Sequence, residues 1–396
     1  MEKVTSNPNQ QVGDLPQDPV VPSGDECRRK PTTRFSAKLF LCGVATLIAL
    51  AMCEVVLRYV WHNSYCGESP GHMLRLRIHP ARRDYLIDRR VLDPAIPRVR
   101  LQTNERSYVV PSAQHRDPVA TVAFLGGSTT ECSAVQEALR FPALVSQQFD
   151  ERGWKVNTLN AAMSGNTTLD SVNVLLNHVV NDRPDVVVMM HAFNDIGLLD
   201  ATGDYRLRAA HPLSGNDFWR WCKHQLSSRV FLVGLARKSL ARSVIIDRHA
   251  VPQTVAWRCD PARAKKIPVE AFRQRLLVFI DICRRFHIQP VLMTQPVTGM
   301  SNELTPAWGN AGAQDRFNAV IREVGQQNDV LVVDLCNHLK ENVPDWDKPM
   351  HLFYDGVHVT DKGSEVYADH IADRLLPLIE EIGRQKGDSN LVAANP

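Results

Sequence analysis

The sequence has little net charge, and it lacks the cysteine spacings of a metal site. Among its 396 residues, 46 Lys and Arg nearly balance 43 Asp and Glu, which leaves a formal charge of +3. So small a charge for this length argues against a broad nucleic-acid surface. The nine cysteines form no CxxC pair and no Cys/His ligand spacing, so we expect no zinc site, and no spacing supports a metal site built from His and Asp residues.

The sequence does not decide whether the cysteines are free thiols or form disulfides. Cys42 and Cys53 lie in an apolar segment and Cys27 precedes it, whereas the other six could pair in an oxidising compartment. Cys222 with Cys259 is one conceivable bridge. Buried free thiols are the favoured interpretation, because free cysteine is among the most buried residue types.

Two common motifs are absent from the glycine-rich stretch that contains Gly126-Gly127-Ser128. An α/β-hydrolase expects Gly-x-Ser-x-Gly, and position 130 is Thr. A phosphate-binding loop needs a Lys after its glycines, and residues 126–134 contain none. Both classes therefore fit this stretch poorly.

The first part of the chain predicts a cytoplasmic tail followed by a membrane anchor. Residues 1–34 are rich in Pro, Asn, Gln and Asp, a composition that cannot bury a core and predicts disorder. Residues 35–61 contain an apolar run that begins at Leu39, and Tyr59 and Trp61 suit an interfacial aromatic belt. We therefore expect one transmembrane signal anchor.

Positive charge is distributed unevenly around this segment. Several basic residues precede it, whereas Arg75 is the first Lys or Arg after Arg58. The positive-inside rule then places the N-terminus in the cytoplasm and the bulk of the chain outside, in the periplasm if the source is bacterial. A cleaved signal peptide is the alternative, because Ala49-Leu50-Ala51 resembles a cleavage site, although its basic leader would be unusually long.

The remaining chain divides into a stem and a domain. Residues 62–118 are dense in Arg and Pro and predict a stem with a few pre-domain strands, whereas residues 119–385 alternate strand and helix patterns. Such alternation is typical of a parallel sheet covered on both faces. Residues 200–265 interrupt it and predict an insertion or lid, and residues 386–396 predict a disordered tail. The predicted strands are 120–125, 156–159, 186–190, 290–294 and 330–333. The predicted helices are 134–152, 168–182, 268–286, 312–327 and 361–383.

Polar residues follow several of these strands. Ser128 comes after the first strand, Gly165 and Asn194 after the second and third, and Asp355 and His358 before the final helix. Parallel strands end at one edge of their sheet, so we expect these residues to gather there. Ser is a weak nucleophile until a base takes its proton; His358 would be that base, and Asp355 would fix its tautomer. The N–H groups of Ser128 and Gly165 and the Asn194 amide would form an oxyanion hole.

Each of these short patterns alone is unspecific, but their order is informative. Gly126-Gly127-Ser128, Gly165, Asn194-Asp195 and Asp355-Gly-Val-His358 resemble the four blocks of the SGNH, or GDSL-type, hydrolases over roughly residues 119–383. The resemblance implies a three-layer α/β/α fold of flavodoxin type with a five-stranded parallel sheet and no cofactor. It also implies esters of lipids, small acyl groups or acylated sugars as substrates. The family's Asp before the Ser is Gly127 here, and its Gly before the Asn is Ala192.

We therefore predict a membrane-anchored serine esterase that cleaves short acyl groups from a glycan or a small molecule. One alternative is an acyltransferase that moves an acetyl group to an envelope polysaccharide, which differs only in the acceptor. The other is a non-catalytic envelope binding module, and the intact Ser, Asn, Asp and His set argues against it. A glycan on the Asn166-Thr-Thr168 sequon would obstruct the site, so none is expected there. The oligomeric state is left open.

Overall fold

The computed structural model describes most of the chain beyond its N-terminal tail. The described residues are 33–60, 76–90, 92–205, 246–249, 265–298, 311–348 and 350–394. The predicted tail up to residue 32, most of the predicted insertion 200–265, and Cys222 and Cys259 lie outside the described residues.

The first helix, α1 (Thr33–Val60), contains the predicted anchor. Its segment Ala37–Val56 is long and apolar enough to cross a membrane, and none of it is buried inside the protein. Leu39, Phe40 and Leu41 are 63%, 73% and 69% exposed, respectively. An unburied apolar helix of this length has the properties of a membrane span, and a signal sequence shares them.

The strands and the remaining helices alternate along most of the chain. The strands are β1 (Asp84–Asp88), β2 (Arg98–Gln102), β3 (Ala120–Gly126), β4 (Val156–Asn160), β5 (Val186–Met190), β6 (Ile246–His249), β7 (Gln289–Met293) and β8 (Leu331–Val333). The helices are α2 (Ser128–Glu131), α3 (Phe141–Glu151), α4 (Thr168–Asn177), α5 (Phe193–Thr202), α6 (Glu270–Arg285), α7 (Ala311–Gln327), α8 (Leu335–Asn342) and α9 (Asp361–Ala394).

Five parallel strands form the main sheet, in the order β4-β3-β5-β7-β8. The strand β3 shows why the sheet is buried on both faces. Its side chains Ala120, Val122 and Phe124 lie in one core layer, and Ala123 and Leu125 lie in the other. An apolar strand with buried residues on both faces is what a covered parallel sheet requires.

Helices cover both faces and complete the predicted three-layer α/β/α fold. Helices α3, α8 and α9 contribute Phe149, Leu339 and Leu375 to the core on one face. Helices α6 and α7 contribute Phe279 and Phe317 to the core on the other. The prediction of a five-stranded parallel sheet with helices on both sides is confirmed.

Helix boundaries differ from the predicted ones where local chemistry outweighs the apolar pattern. The predicted helix 134–152 begins only at Phe141, because Pro142 belongs in a first helical turn and Arg140 before it is extended. Helix α9 continues to Ala394, beyond residue 383 and into the predicted polar tail. Near its end Lys386 pairs with Asp185 at 2.6 Å, which ties this part of the helix to the sheet.

A second, smaller sheet packs beside the main one. The strand β1 pairs antiparallel with β2 and parallel with β6, and β6 belongs to the predicted insertion 200–265. Tyr85, Ile87, Val99 and Leu101 form its small core. The segment 62–118, predicted to be a stem with a few pre-domain strands, contains β1 and β2.

A buried arginine joins this upstream segment to the main sheet. Arg140 is 1% exposed and precedes α3. Its guanidinium donates to the carbonyl oxygens of Cys132 at 3.2 Å and Val110 at 2.6 Å, and also to that of Arg100. One buried side chain therefore binds three carbonyl oxygens, from the loop after α2, from β2 and from the chain that follows β2.

Replacing Arg140 with Leu should destabilise the fold by about 3 kcal/mol, because one buried and two partly buried carbonyls lose their donor. Arg152 after the same helix is the matched control. It pairs with Asp373, whose side chain is 65% exposed, so Arg152→Leu should cost about 1 kcal/mol or less. Thermal unfolding of the two variants measures the difference. Equal shifts of the midpoint would show that the Arg140 contacts do not stabilise the protein.

Candidate active site

The predicted nucleophile lies at the carboxyl edge of the main sheet. β3 ends at Gly126, Gly127 caps the short helix α2, and Ser128 is its first residue. Since β3 lies between β4 and β5, Ser128 emerges at the crevice where connections leave the sheet in opposite directions. Open α/β sheets bind ligands at such a switch point.

Ser128, His358 and Asp355 form a continuous hydrogen-bonded chain. The Ser128 Oγ is 2.7 Å from His358 Nε2, and His358 Nδ1 is 2.6 Å from Asp355 Oδ2. The other carboxylate oxygen of Asp355 accepts the backbone N–H groups of His358 at 2.8 Å and Val357 at 3.1 Å. Asp355 is therefore fixed in the orientation that meets the imidazole.

The electrostatics of the pair favour an ionised carboxylate beside a basic imidazole. Burial alone would raise the pKa of Asp355, but the charge and hydrogen bonds of His358 hold it below its usual value. Burial lowers the pKa of His358, but the charge and hydrogen bond of Asp355 outweigh it and raise that pKa. Asp355 is fully buried, whereas the His358 side chain is 18% exposed. A partly accessible imidazole with a raised pKa has the properties of a general base.

The predicted oxyanion donors converge on the same edge. The Asn194 Nδ2 donates to the backbone oxygen of Asn166 at 2.8 Å, which orients the amide and leaves its second N–H. Gly165 has φ +79°, a conformation that favours glycine. Within the part of the chain that the structure describes, neither the Ser128 nor the Gly165 N–H makes a backbone hydrogen bond. The structure thus brings together all five residues predicted from the sequence.

Gly127 is explained by close packing against this amide. A Cβ atom at Gly127 would lie 2.5 Å from Asn194 Nδ2 and 3.2 Å from the Asn166 backbone oxygen. Its backbone is extended, with φ −95° and ψ −151°, so glycine is not needed for the turn itself. The lack of space beside the Asn194 amide therefore accounts for glycine at position 127.

Gly127→Ala should lower kcat about 10- to 100-fold, because the new methyl group would displace Asn194, a predicted oxyanion-hole donor. Gly197 is the matched control, since it lies in α5 with no atom within 4 Å of the position of an added Cβ. Gly197→Ala should leave ester turnover unchanged and raise stability by about 1 kcal/mol. Steady-state kinetics of both variants test this. Wild-type turnover in Gly127→Ala would contradict the proposed packing.

Gln295 connects two parts of the site, and it is not among the site residues predicted from the sequence. It follows β7, is 4% exposed, and donates from Nε2 to Thr129 Oγ1 at 3.0 Å. Its Oε1 accepts the Phe193 N–H at 2.8 Å. Gln295 thus links the residue after the nucleophile to the residue before Asn194. A lone glutamine in a Thr-Gln-Pro sequence carries no signal for such a bridge.

His191 and Asp195 are buried behind the site. His191 is bonded through Nε2 to Ser171 Oγ at 2.7 Å, and burial lowers its pKa to about 3. Asp195 accepts from Thr168 Oγ1 at 2.6 Å and from Tyr205 at 2.5 Å. Burial raises the pKa of Asp195 to about 6. Burial and the bond to Ser171 give His191 the environment of a structural residue.

Other side chains near the site give no metal cluster. No group of three or more His, Cys, Asp or Glu residues with metal-binding geometry occurs among the described residues.

The cysteines that the structure describes are free: Cys42, Cys53, Cys132, Cys283 and Cys336. Asn166 of the sequon is fully buried with both side-chain polar atoms bonded to Arg77, which leaves no room for a glycan.

The order and spacing of the site match those of one family. The sequence model of the GDSL-like lipase/acylhydrolase family matches residues 124–366, which is more than half of the chain. The chain belongs to this GDSL-like lipase/acylhydrolase family. It is a hydrolase that acts on ester bonds, and the predicted family and enzyme class are confirmed.

Several solved structures are similar to this GDSL-like hydrolase. A putative lipolytic protein of the G-D-S-L family from Desulfitobacterium hafniense DCB-2 is 14% identical, with 65% of this chain and 99% of that chain covered (TM-score 0.40). An acetylxylan esterase from Geobacillus stearothermophilus is 15% identical, with 65% of this chain and 94% of that chain covered (TM-score 0.41). A lipase/acylhydrolase from Enterococcus faecalis is 19% identical, with 65% and 95% covered (TM-score 0.38). No curated protein matches the sequence significantly.

Proposed function

We propose that this GDSL-like hydrolase is a membrane-anchored serine esterase that removes short acyl groups from a glycan or a small molecule. One observation carries the catalytic part of the proposal: Ser128, His358 and Asp355 form an unbroken chain of short hydrogen bonds. Its location at the crevice of the sheet gives a substrate access to Ser128.

The reaction follows from this geometry. Ser128 Oγ attacks the ester carbonyl while His358 Nε2 takes its proton, and the imidazolium is stabilised by Asp355. The carbonyl oxygen becomes negative and accepts hydrogen bonds from the Ser128 and Gly165 N–H groups and the Asn194 amide. The C–O bond of the ester then breaks, and the alcohol leaves with the proton from His358. Water, activated by His358, releases the acid and restores Ser128.

The proposed substrate class rests on the proposed location, because a catalytic domain held outside the membrane faces the acylated glycans and small esters of the envelope. The proposed anchor is α1, which would keep the enzyme at a membrane with its N-terminus in the cytoplasm and its catalytic domain outside.

A serine-directed fluorophosphonate tests the proposal with the full-length chain in detergent. We expect a single phosphonylated residue, identified by mass spectrometry as Ser128, and hydrolysis of a chromogenic acetate ester. Preincubation with the acetate ester should slow labelling. A chain that is folded but neither labels nor hydrolyses the ester would overturn the proposal and support a binding module.

Hydrolysis and acyl transfer share the same acyl-enzyme, so a second assay separates them. The chain is supplied with an acetyl donor, and acetate release is measured with and without a deacetylated polysaccharide. An esterase gives acetate release that the polysaccharide does not reduce. Acetate incorporated into the polysaccharide at the expense of release would instead identify an acyltransferase.

A further inference from the structure

The loop that carries Gly165 is held in place by side chains from far upstream. Arg77 and His79 precede β1 and lie outside the family-matched region 124–366. Arg77 contacts the loop formed by residues 164–166 directly, and His79 is connected to it through Glu131. Both lie in the segment 62–118, which the sequence predicts to be a stem with a few pre-domain strands.

Arg77 acts on one side of this loop. Its Nη2 donates to the Ser164 backbone oxygen at 2.9 Å, and its Nε donates to Asn166 Oδ1 at 3.0 Å. Asn166 Nδ2 returns a bond to the Arg77 backbone oxygen at 3.0 Å. The backbone oxygen of Asn166 in turn accepts the Asn194 amide. Arg77 is thus connected to an oxyanion donor through a single residue.

His79 acts on the other side through a buried carboxylate. His79 Nε2 is 2.6 Å from Glu131 Oε1, and both side chains are 1% exposed. Glu131 also accepts the Ser164 N–H at 3.2 Å and the Ser164 hydroxyl. Burial would raise the pKa of Glu131, but the His79 and Ser164 donors hold it below its ordinary value. A carboxylate with these donors fixes Ser164 and hence the residue after it.

The contact with Gly165 itself is close. The Arg77 Nη2 lies 2.9 Å from the position of a Cβ at Gly165, so the guanidinium packs directly on this glycine. Oxyanion-hole donors work only when they are held within a fraction of an ångström of the developing charge. Gly165 has φ +79° and the conformational freedom of glycine, so it depends on its neighbours for that precision.

We propose that Arg77 and His79 are positioning residues for the oxyanion hole, acting through Asn166, Ser164 and Glu131. This inference rests on the proposed function, because it needs Gly165 and Asn194 to bind the oxyanion. It makes the segment before β1 a part of the working active site.

A double-mutant cycle in the full-length chain tests the Arg77 connection. Asn194→Ala, which removes one donor directly, should lower kcat for a chromogenic acetate ester about 100-fold or more. Arg77→Ala should lower kcat about 10-fold with KM changed by less than about threefold. Because Arg77 acts through the Asn194 amide, the double variant should be less impaired than the product of the two single losses.

The control for the cycle is Arg106→Ala in the same upstream segment. The Arg106 side chain is 61% exposed and pairs with Asp182, away from the residue 164–166 loop. The Arg106→Ala variant should therefore keep the wild-type kcat. Wild-type kcat in Arg77→Ala, or losses that multiply fully in the double variant, would overturn the inference. A wild-type chain without ester turnover would instead overturn the proposed function itself.

The His79 connection is tested by conservative replacement of its partner. Glu131→Gln keeps an acceptor for the Ser164 N–H and should retain most of kcat, whereas Glu131→Ala should lose about 10-fold or more. His79→Ala should resemble Glu131→Ala in kcat and leave KM nearly unchanged. Equal activity of all three variants and the wild type would overturn the role of His79. Should Glu131→Ala fail to fold, His79→Ala against Glu131→Gln makes the same comparison.

Discussion

Ser128→Ala is expected to reduce ester turnover by at least about 10⁴-fold, since the members of a catalytic triad act as a unit. His358 Nε2 lies 2.7 Å from the Ser128 hydroxyl and would have no proton to accept once that oxygen is removed. No acyl-enzyme could then form. Any remaining activity would come from water attacking an ester held in the oxyanion hole.

Combining Ser128→Ala with His358→Ala gives a second expected result. If Ser128 and His358 act together, Ser128→Ala with His358→Ala should be no slower than Ser128→Ala alone. Ser133→Ala, a change of a nearby half-buried serine, is the control and should keep full activity. Fluorophosphonate labelling and chromogenic ester hydrolysis are measured together. Turnover that survives in Ser128→Ala would assign the nucleophile to another residue.

The sheet and the site could be predicted because their signals are local. β3 is an unbroken apolar run that ends in glycines, and the fixed direction of parallel strands places Ser128, Gly165 and Asn194 at one edge. The pairing of Asp355 with His358 spans a single turn, so their spacing already suggests it. The topology of the sheet alone is therefore enough to place these residues together.

The supporting residues could not be predicted because their partners are distant in sequence. Arg77 meets Asn166 across 89 positions, and His79 meets Glu131 across 52. Gln295 reaches Thr129 across 166 positions. None of these residues belongs to a spacing pattern, and a single Arg, His or Gln carries no sign of its partner in the sequence. Such contacts follow from tertiary packing.

Asp355→Asn is the second change with a large expected effect, of about 10⁴-fold in kcat. One oxygen of Asp355 accepts the backbone N–H groups of Val357 and His358, and only the other faces His358 Nδ1. An Asn side chain would direct its oxygen to those two N–H groups and its NH₂ to the imidazole. His358 Nδ1 would then become an acceptor, which puts the proton on Nε2, where it cannot serve as a base for Ser128.

The pH dependence of kcat/KM provides an independent readout of the same substitution. The base must be neutral, and Asp355 raises the pKa of His358, so wild-type activity should fall with decreasing pH from above the ordinary histidine value of about 6.5. Without the Asp355 carboxylate, burial lowers the pKa of His358. The fall of kcat/KM on the acidic side of the pH profile (its acidic limb) should then occur at lower pH. Asp345 is an exposed carboxylate in the preceding loop, and Asp345→Asn is the control. It should change neither kcat nor the pH at which kcat/KM falls on the acidic side. An acidic limb in Asp355→Asn at or above the wild-type position would contradict the pairing, because a histidine that loses its anionic partner cannot become harder to deprotonate.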